Sequence, residues 1–233
     1  MIEIHNIDYN NHVDLVGTAH FTRRSLNDAV TTVTSLQPSD IALELDVRRF
    51  RSLNNSCIGC PRRGSCQGVC EFIGATIALG NVDANVWLID MTELEMRRRM
   101  SRNMTPSEWS RLGYMNHQGN EVNPVWLWER GFKEQVIENS RRQIEHSRKY
   151  FPSVWRVLID ERNALMAARL AWIISEKRER GQEANLLAFV GAAHVDGIKE
   201  LLKDPRLIQQ SLKRFDLTFT EPTLMRRVAI QGN

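Results

Sequence analysis

The apolar residues of this chain fall into short clusters separated by stretches of helical period. Val13 to Val16 reads as a strand that ends at Gly17-Thr18-Ala19-His20. Thr22 to Leu36 follows with Ala29, Val30, Val33 and Leu36 spaced to share one side of a helix. Pro38-Ser39-Asp40 breaks that helix, and Ile41 to Asp46 is a second strand, apolar but interrupted by Glu44 and Asp46. Strand, helix, strand in this order predicts a parallel pair. Asn85 to Asp90 is a third strand closed by an acid. Leu186 to Val190 is a fourth, apolar throughout, as suits a strand buried on both faces. Phe215 to Thr220 alternates and predicts a terminal edge strand.

Residues 93–181 are mainly helical in pattern. Met91 to Met100 is short and basic. Thr105-Pro106-Ser107-Glu108 is a helix start, with Thr as N-cap, Pro at the first position and Glu at the third. Asn123 to Tyr150 is a long amphipathic segment with Trp126, Phe132, Val136 and Ile144 facing inward, and Trp126 and Trp128 read as packing residues. Val154 to Arg180 is a further helix with Gly181 as its C-cap. The expected architecture is one α/β domain over residues 1–233. It has a mostly parallel central sheet flanked by helices, and a long helical insertion between the third strand and the closing strand.

With 233 residues, 42% of them hydrophobic and 25% charged, the chain can bury an ordinary core. A net charge of +3 gives no reason to expect nucleic acid, and Arg97-Arg98-Arg99 and Arg141-Arg142 read as solvated helix faces. There is no apolar run of about 18 residues, so no transmembrane helix is expected. The N-terminus lacks the basic and apolar regions of a signal peptide, which points to the cytoplasm.

Two features carry chemistry. The first is a repeated device: Leu15-Val16-Gly17-Thr18-Ala19-His20 near one end of the chain and Phe189-Val190-Gly191-Ala192-Ala193-His194 near the other. Each is an apolar strand, a glycine, two small residues and a histidine, and each leads into a helix. The small residues suit a sharp turn and close backbone approach to a ligand. In an open α/β sheet, ligands bind at the carboxyl ends of the strands. That edge would gather His20, Glu44 with Asp46, Asp90 and His194. A single histidine after a strand is more often a capping or packed residue; two in matched contexts suggest a shared site. Two imidazoles and a carboxylate form a ligand set for zinc, manganese or iron, with positions left for water and substrate. His20, Glu44 and His194 are the candidate ligands. Asp90 is a further ligand, a partner for a histidine or a helix cap.

The second feature is the loop at residues 54–71, which holds every cysteine of the chain: Cys57, Cys60, Cys66 and Cys70, with Gly59, Pro61, Gly64 and Gly68 between them. In a cytosolic chain, four thiolates so close together suit a zinc ion or a 4Fe-4S cluster better than disulfides. The spacing is similar to the central cysteine run of SPASM iron–sulfur domains. Arg62 and Arg63 would offset the negative charge of the thiolates. The structural alternative is a metal that only staples a loop poor in apolar residues.

Several segments together resemble the TraB/PrgY family, part of a wider group that includes the Tiki proteases, relatives of erythromycin esterase and the haem-binding ChaN proteins. They are Leu15 to His20 with Ser25; Pro38 to Asp46 with Arg48 and Arg49; Leu88-Ile89-Asp90 with Arg97 to Arg99; Asp160-Glu161-Arg162-Asn163 with Met166-Ala167; and Val190 to Val195 with Gly197-Ile198. Residue 91 is Met where the family often has Arg. The resemblance implies a metal-dependent hydrolase-like fold with His20, Glu44, Arg162 and His194 at its site. Tiki members are metalloproteases, and TraB members are linked to shutdown of peptide pheromone signalling.

The leading expectation is therefore a metal-dependent hydrolase of peptidase type. His20, Glu44 and His194 would hold a divalent metal, with Glu44 and Arg162 as catalytic residues and a peptide or small molecule as substrate. Arg162 would hold a substrate carboxylate or oxyanion, or pair with Glu44. The alternative is a non-catalytic regulator or redox/metal sensor that uses the four cysteines. A third reading, a ligand-binding protein of ChaN type, would predict a homodimer around a cofactor.

Overall fold

The computed structural model describes residues 7–20, 22–58, 71–80, 84–115 and 148–226. The segment from Asn123 to Ser147, with Trp126 and Trp128, lies outside them, as do Cys60, Cys66 and Cys70. Among the described residues, five strands form one sheet: β1 (Val13–Thr18), β2 (Asp40–Leu43), β3 (Asn85–Leu88), β4 (Leu186–Gly191) and β5 (Thr223–Arg226), in the order β1-β4-β2-β3-β5. The first four strands in this order run parallel, and β5 is antiparallel to β3. The α/β architecture and the mostly parallel sheet are as the sequence predicts.

Both faces of the sheet are covered. Leu187 and Phe189 of β4 pack with Ile41, Leu43, Val86 and Leu88 in a core that also holds Ala29 and Val33 of α1 (Arg23–Leu36) and Phe72, Ile73 and Ala75 of α3 (Glu71–Ala78). Phe50 of α2 (Val47–Ile58) joins the same core. The alternate β4 residues Leu186, Ala188 and Val190 face the second core. This two-sided burial explains why β4 shows no polar alternation.

Helices α4 (Glu93–Asn103), α5 (Pro106–Met115) and α6 (Pro152–Trp155) follow β3. At the start of α5, Thr105 Oγ1 accepts from the Glu108 N–H at 3.3 Å, and Glu108 Oε2 accepts from the Thr105 N–H at 2.8 Å, the reciprocal box expected from the sequence. The predicted continuous helix over 154–180 is divided. A π-helical turn spans Arg156–Glu161, and α7 (Arg162–Glu179) follows it. Gly181, at φ 67°, ends α7. Its N–H donates to the Arg178 carbonyl and the Gln182 N–H to the Lys177 carbonyl, each at 2.9 Å, as in a Schellman cap. Helices α8 (Ala192–Lys203) and α9 (Pro205–Arg214) pack against α7.

Three expectations change. β1 and β2 are parallel but do not pair, because β4 lies between them. The segment 217–222 joins no strand ladder, and the edge strand begins at Thr223. Pro222 has no N–H to give a ladder, and Arg169 already binds the Thr220 carbonyl at 3.0 Å and its hydroxyl at 2.7 Å. Finally, Gly17 does not form the turn. It lies within β1, where an added Cβ would come within 3.0 Å of Val195 and 3.3 Å of the Ala192 backbone, so its role is to admit α8.

At the amino edge of the sheet, Asp40 is wholly buried. It pairs with Lys177 and accepts from Ser39 Oγ at 2.8 Å, Asn85 Nδ2 at 2.9 Å and Trp87 Nε1 at 3.0 Å. Burial opposes its charge, but Lys177 and these donors hold its carboxyl below the usual range. Its contribution to stability is therefore complete above about pH 4, the unfolded carboxylate value, and is lost as pH falls through the lower folded value. Asp40→Ala should cost on the order of 3 kcal/mol in urea unfolding at neutral pH. That deficit against wild type should shrink in acid; a pH-independent deficit would show that the ion pair is not its origin.

Candidate functional site

β1 and β4 are neighbours in register, with Thr18 opposite Gly191, so the chain leaves both at the same sheet edge. His20 comes two residues after β1, and His194 lies in the first turn of α8. Glu44 directly follows β2, the other neighbour of β4, and its N–H donates to the Phe189 carbonyl at 3.1 Å. Three adjacent strands thus deliver the three side chains. Nε2 of His20 is 3.7 Å from Glu44 Oε1, and Nε2 of His194 is 3.5 Å from the same oxygen. The other carboxylate oxygen accepts the Gly191 N–H. A Cβ at Gly191 would lie 3.1 Å from His20 Nε2 and 3.3 Å from Glu44 Oε2, so glycine keeps open the space these groups face.

Each ring is aimed by its other nitrogen. His20 Nδ1 is 2.6 Å from Glu71 Oε1, which also accepts from Thr18 Oγ1 at 3.3 Å. His194 Nδ1 is 2.6 Å from Asn163 Oδ1. An amide oxygen only accepts, so His194 carries its proton on Nδ1 and presents a lone pair at Nε2. Asn163 reaches this position because residue 197 is glycine: a Cβ there would stand 2.3 Å from Asn163 Nδ2. The two rings differ in exposure. The His20 side chain is 38% exposed and that of His194 4%, so the site opens on the His20 side.

Arg162 ties the site to β3. Its Nε and NH2 grip Asp90 at 2.9 and 2.7 Å, NH2 also reaches Glu44, and NH1 donates to His194 Nε2 at 3.1 Å. Asp90 also accepts from Arg49 NH2 at 2.6 Å and from the Met91 N–H at 2.7 Å. Asp46, the residue before α2, accepts from Arg49 Nε at 2.7 Å and the Arg49 N–H at 3.0 Å. The charges follow from this packing. Burial opposes the Glu44 charge, but the charged His20 and Arg162 hold its carboxyl well below the usual range. Burial also disfavours a charged His20, yet the Glu44 and Glu71 carboxylates outweigh it and push its pKa up to about 10. For His194, burial with Arg162 alongside lowers the pKa against the pull of Glu44.

His20, Glu44, Arg162 and His194 are thus brought together. Asp90 is not turned to the histidines; both its oxygens are taken by arginines and its own backbone neighbour. The Cys57 side chain and the other three cysteines lie outside the described side chains. Glu71 and Asn163 are the residues whose roles the sequence reading missed. Among the described residues, no three His, Cys, Asp or Glu side chains stand ready as a metal cage. The reason is visible in the geometry: the Arg162 guanidinium lies against both Glu44 Oε1 and His194 Nε2.

A family model described as the TraB/PrgY/gumN family matches residues 115–206. The chain is also similar to Uncharacterized protein MJ1365 of Methanocaldococcus jannaschii, at 26% identity over 223 residues, which covers 81% of this chain and 53% of that protein. It therefore spans about half the length of this curated relative. No solved structure gives a significant match. Among the described residues, no helix is long and apolar enough to cross a membrane.

Arg162→Ala should destabilise the fold by about 3 kcal/mol, because it takes the shared guanidinium from two buried carboxylates, Glu44 and Asp90. Arg162→Lys should recover little, since an ammonium cannot fork onto Asp90 and still reach Glu44 and His194. Denaturant titration of both variants measures this, and full stability in the lysine variant would show that charge alone suffices.

Proposed function

We propose that this chain, which matches the TraB/PrgY/gumN family over residues 115–206, is a metal-dependent hydrolase of peptidase type. The observation that carries this reading is the convergence of two imidazole Nε2 atoms on one carboxylate oxygen, at 3.7 and 3.5 Å, beside a glycine with no side chain to fill the gap. Ligating histidines characteristically have the second nitrogen tied to a carboxylate or carbonyl oxygen, as Glu71 and Asn163 do here. The donor set fits a divalent metal, zinc, manganese or iron, once Arg162 yields NH1 from His194 and NH2 from Glu44. Its fork on Asp90 can hold it in place meanwhile.

His20, Glu44 and His194 would hold the metal, which would supply Lewis acidity and lower the pKa of a water toward neutrality. The chain's own residues provide the rest. Glu71 and Asn163 fix the two rings, Gly191 leaves room for substrate, and Arg162 offers a guanidinium to a substrate carboxylate or a developing oxyanion. The peptide substrate rests on the resemblance to Tiki-type proteases.

Elemental analysis tests this directly. Wild-type protein should carry one equivalent of a divalent metal that is lost in both His20→Ala and His194→Ala. Unchanged metal content in the two variants, measured alongside Cys60→Ala, would sink the reading. In a peptide-hydrolysis assay, Glu44→Gln and chelator should each abolish turnover.

The second reading is a redox or metal sensor built on Cys57, Cys60, Cys66 and Cys70. What favours it is the sequence position of Glu71, the His20 partner, directly after Cys70. Anaerobically purified protein should then show visible iron–sulfur absorbance that Cys60→Ala removes. A colourless protein with zinc at the cysteines argues against the sensor.

A further inference from the structure

A concave surface separate from the histidine site gathers four arginines. Glu95, Arg98, Arg99 and Arg102 form one stripe of α4 at the three- and four-residue spacing of a helix face. This stripe borders a cavity of about 260 Å³ whose lining also includes Asn103, Arg156, Phe215 and Asp216. Two of the arginines are part of its wall. Arg99 binds Glu95 at 3.2 Å, the wholly buried Glu161 at 3.3 Å and the Phe215 and Asp216 carbonyls at 3.2 and 2.9 Å. Arg156 binds Glu161 at 2.8 Å and lies 5.3 Å over the Phe215 ring. Arg98 and Arg102 differ: both are exposed, line the cavity and have no ionic partner among the described residues.

We propose that this cavity is a binding site for a single phosphate group, free or carried on a small organic molecule. A basic helix face by itself would merely be solvated. Here four guanidiniums share a concave surface with two carboxylates, Glu95 and Asp216; two of the guanidiniums are fixed, one by backbone carbonyls and both by the buried Glu161, while Arg98 and Arg102 make no ion pair among the described residues. Guanidinium forks match the oxygens of phosphate two at a time. Preorganised arginines also lose little freedom when the anion arrives. The volume sets the size class, since it falls just below the ~300 Å³ at which pockets for drug-sized ligands begin. The site is reached independently of the histidines, and Arg162 is not part of it.

Calorimetric titration of the full chain in chloride buffer, with inorganic phosphate and with glycerol phosphate, tests this. Saturable one-to-one binding is expected. Arg98→Ser/Arg102→Ser should weaken it by about tenfold or more, while His20→Ala leaves it unchanged. Both arginines are exposed, so the double variant should melt like wild type, and Arg98→Lys/Arg102→Lys should keep part of the affinity. Tighter binding of glycerol phosphate supports a phosphomonoester ligand, and the reverse supports the free ion. Failure of both probes to saturate overturns the proposal, as does undiminished binding in the double serine variant. Loss in His20→Ala would assign the phosphate to the histidine site instead and also overturn it.

Discussion

The carboxylate of Glu44 is buried at the carboxyl end of the sheet, and the surrounding structure exists to make that tolerable. An isolated buried carboxylate costs several kcal/mol unless it is paired and hydrogen-bonded. Glu44 takes the Gly191 N–H, Arg162 and the two imidazoles. Arg162 is then itself a buried cation, which Asp90 answers, and Asp90 calls for Arg49, which Asp46 anchors. The compensation runs laterally from β4 across β2 to β3, one strand end at a time. It also explains α7. A helix whose first residue must reach the strand ends has to lie close on the sheet, and Ala164, Ala167, Ala168 and Ala171 are fully buried small residues that allow it.

This arrangement places positive charge beside each of the buried carboxylates. His20 stands as a cation between Glu44 and Glu71, and the Arg162 guanidinium rests between Glu44 and His194. The site therefore demands a cation near Glu44, and a divalent ion would answer the same demand with shorter bonds. The four cysteines are a separate chemistry in the sequence, and Glu71, the partner of His20, directly follows the last of them.

The strand ends were legible because their signals are local: an apolar run, a glycine, small residues, a histidine. Glu44 was legible as an acid that interrupts the second strand, and Arg162 only through the family resemblance; the structure pairs the two. What was not legible is non-local or unmarked. Nothing within β1 or β2 says that β4 will separate them. Glu71 looks like any acid in the first turn of a helix, where acids are favoured anyway. The only hint was the apolar Phe72-Ile73 after it. Asn163 stood within a recognised motif, but its contact with His194 depends on Gly197 in another helix. The π-helical turn over Arg156–Glu161 has the composition of an ordinary helix. At the far end, the alternation of Phe215 to Thr220 was real, but Pro222 postpones pairing until Thr223.

The position of β4 has a consequence for how the molecule comes to be. It is the middle of three parallel strands, yet β1 and β2 lie far before it in the sequence, β2 ending at Leu43 and β4 beginning only at Leu186. Until β4 joins them, β1 and β2 have no common neighbour, and both offer open edges. Pairings between such distant segments form slowly, because a long loop must be closed before any contact rewards it. The two halves of the repeated strand–Gly–x–x–His device therefore meet only once that long-range pairing has formed. A nascent or truncated chain lacking β4 would hold only the first histidine of the pair, no completed site and two unsatisfied strand edges prone to association.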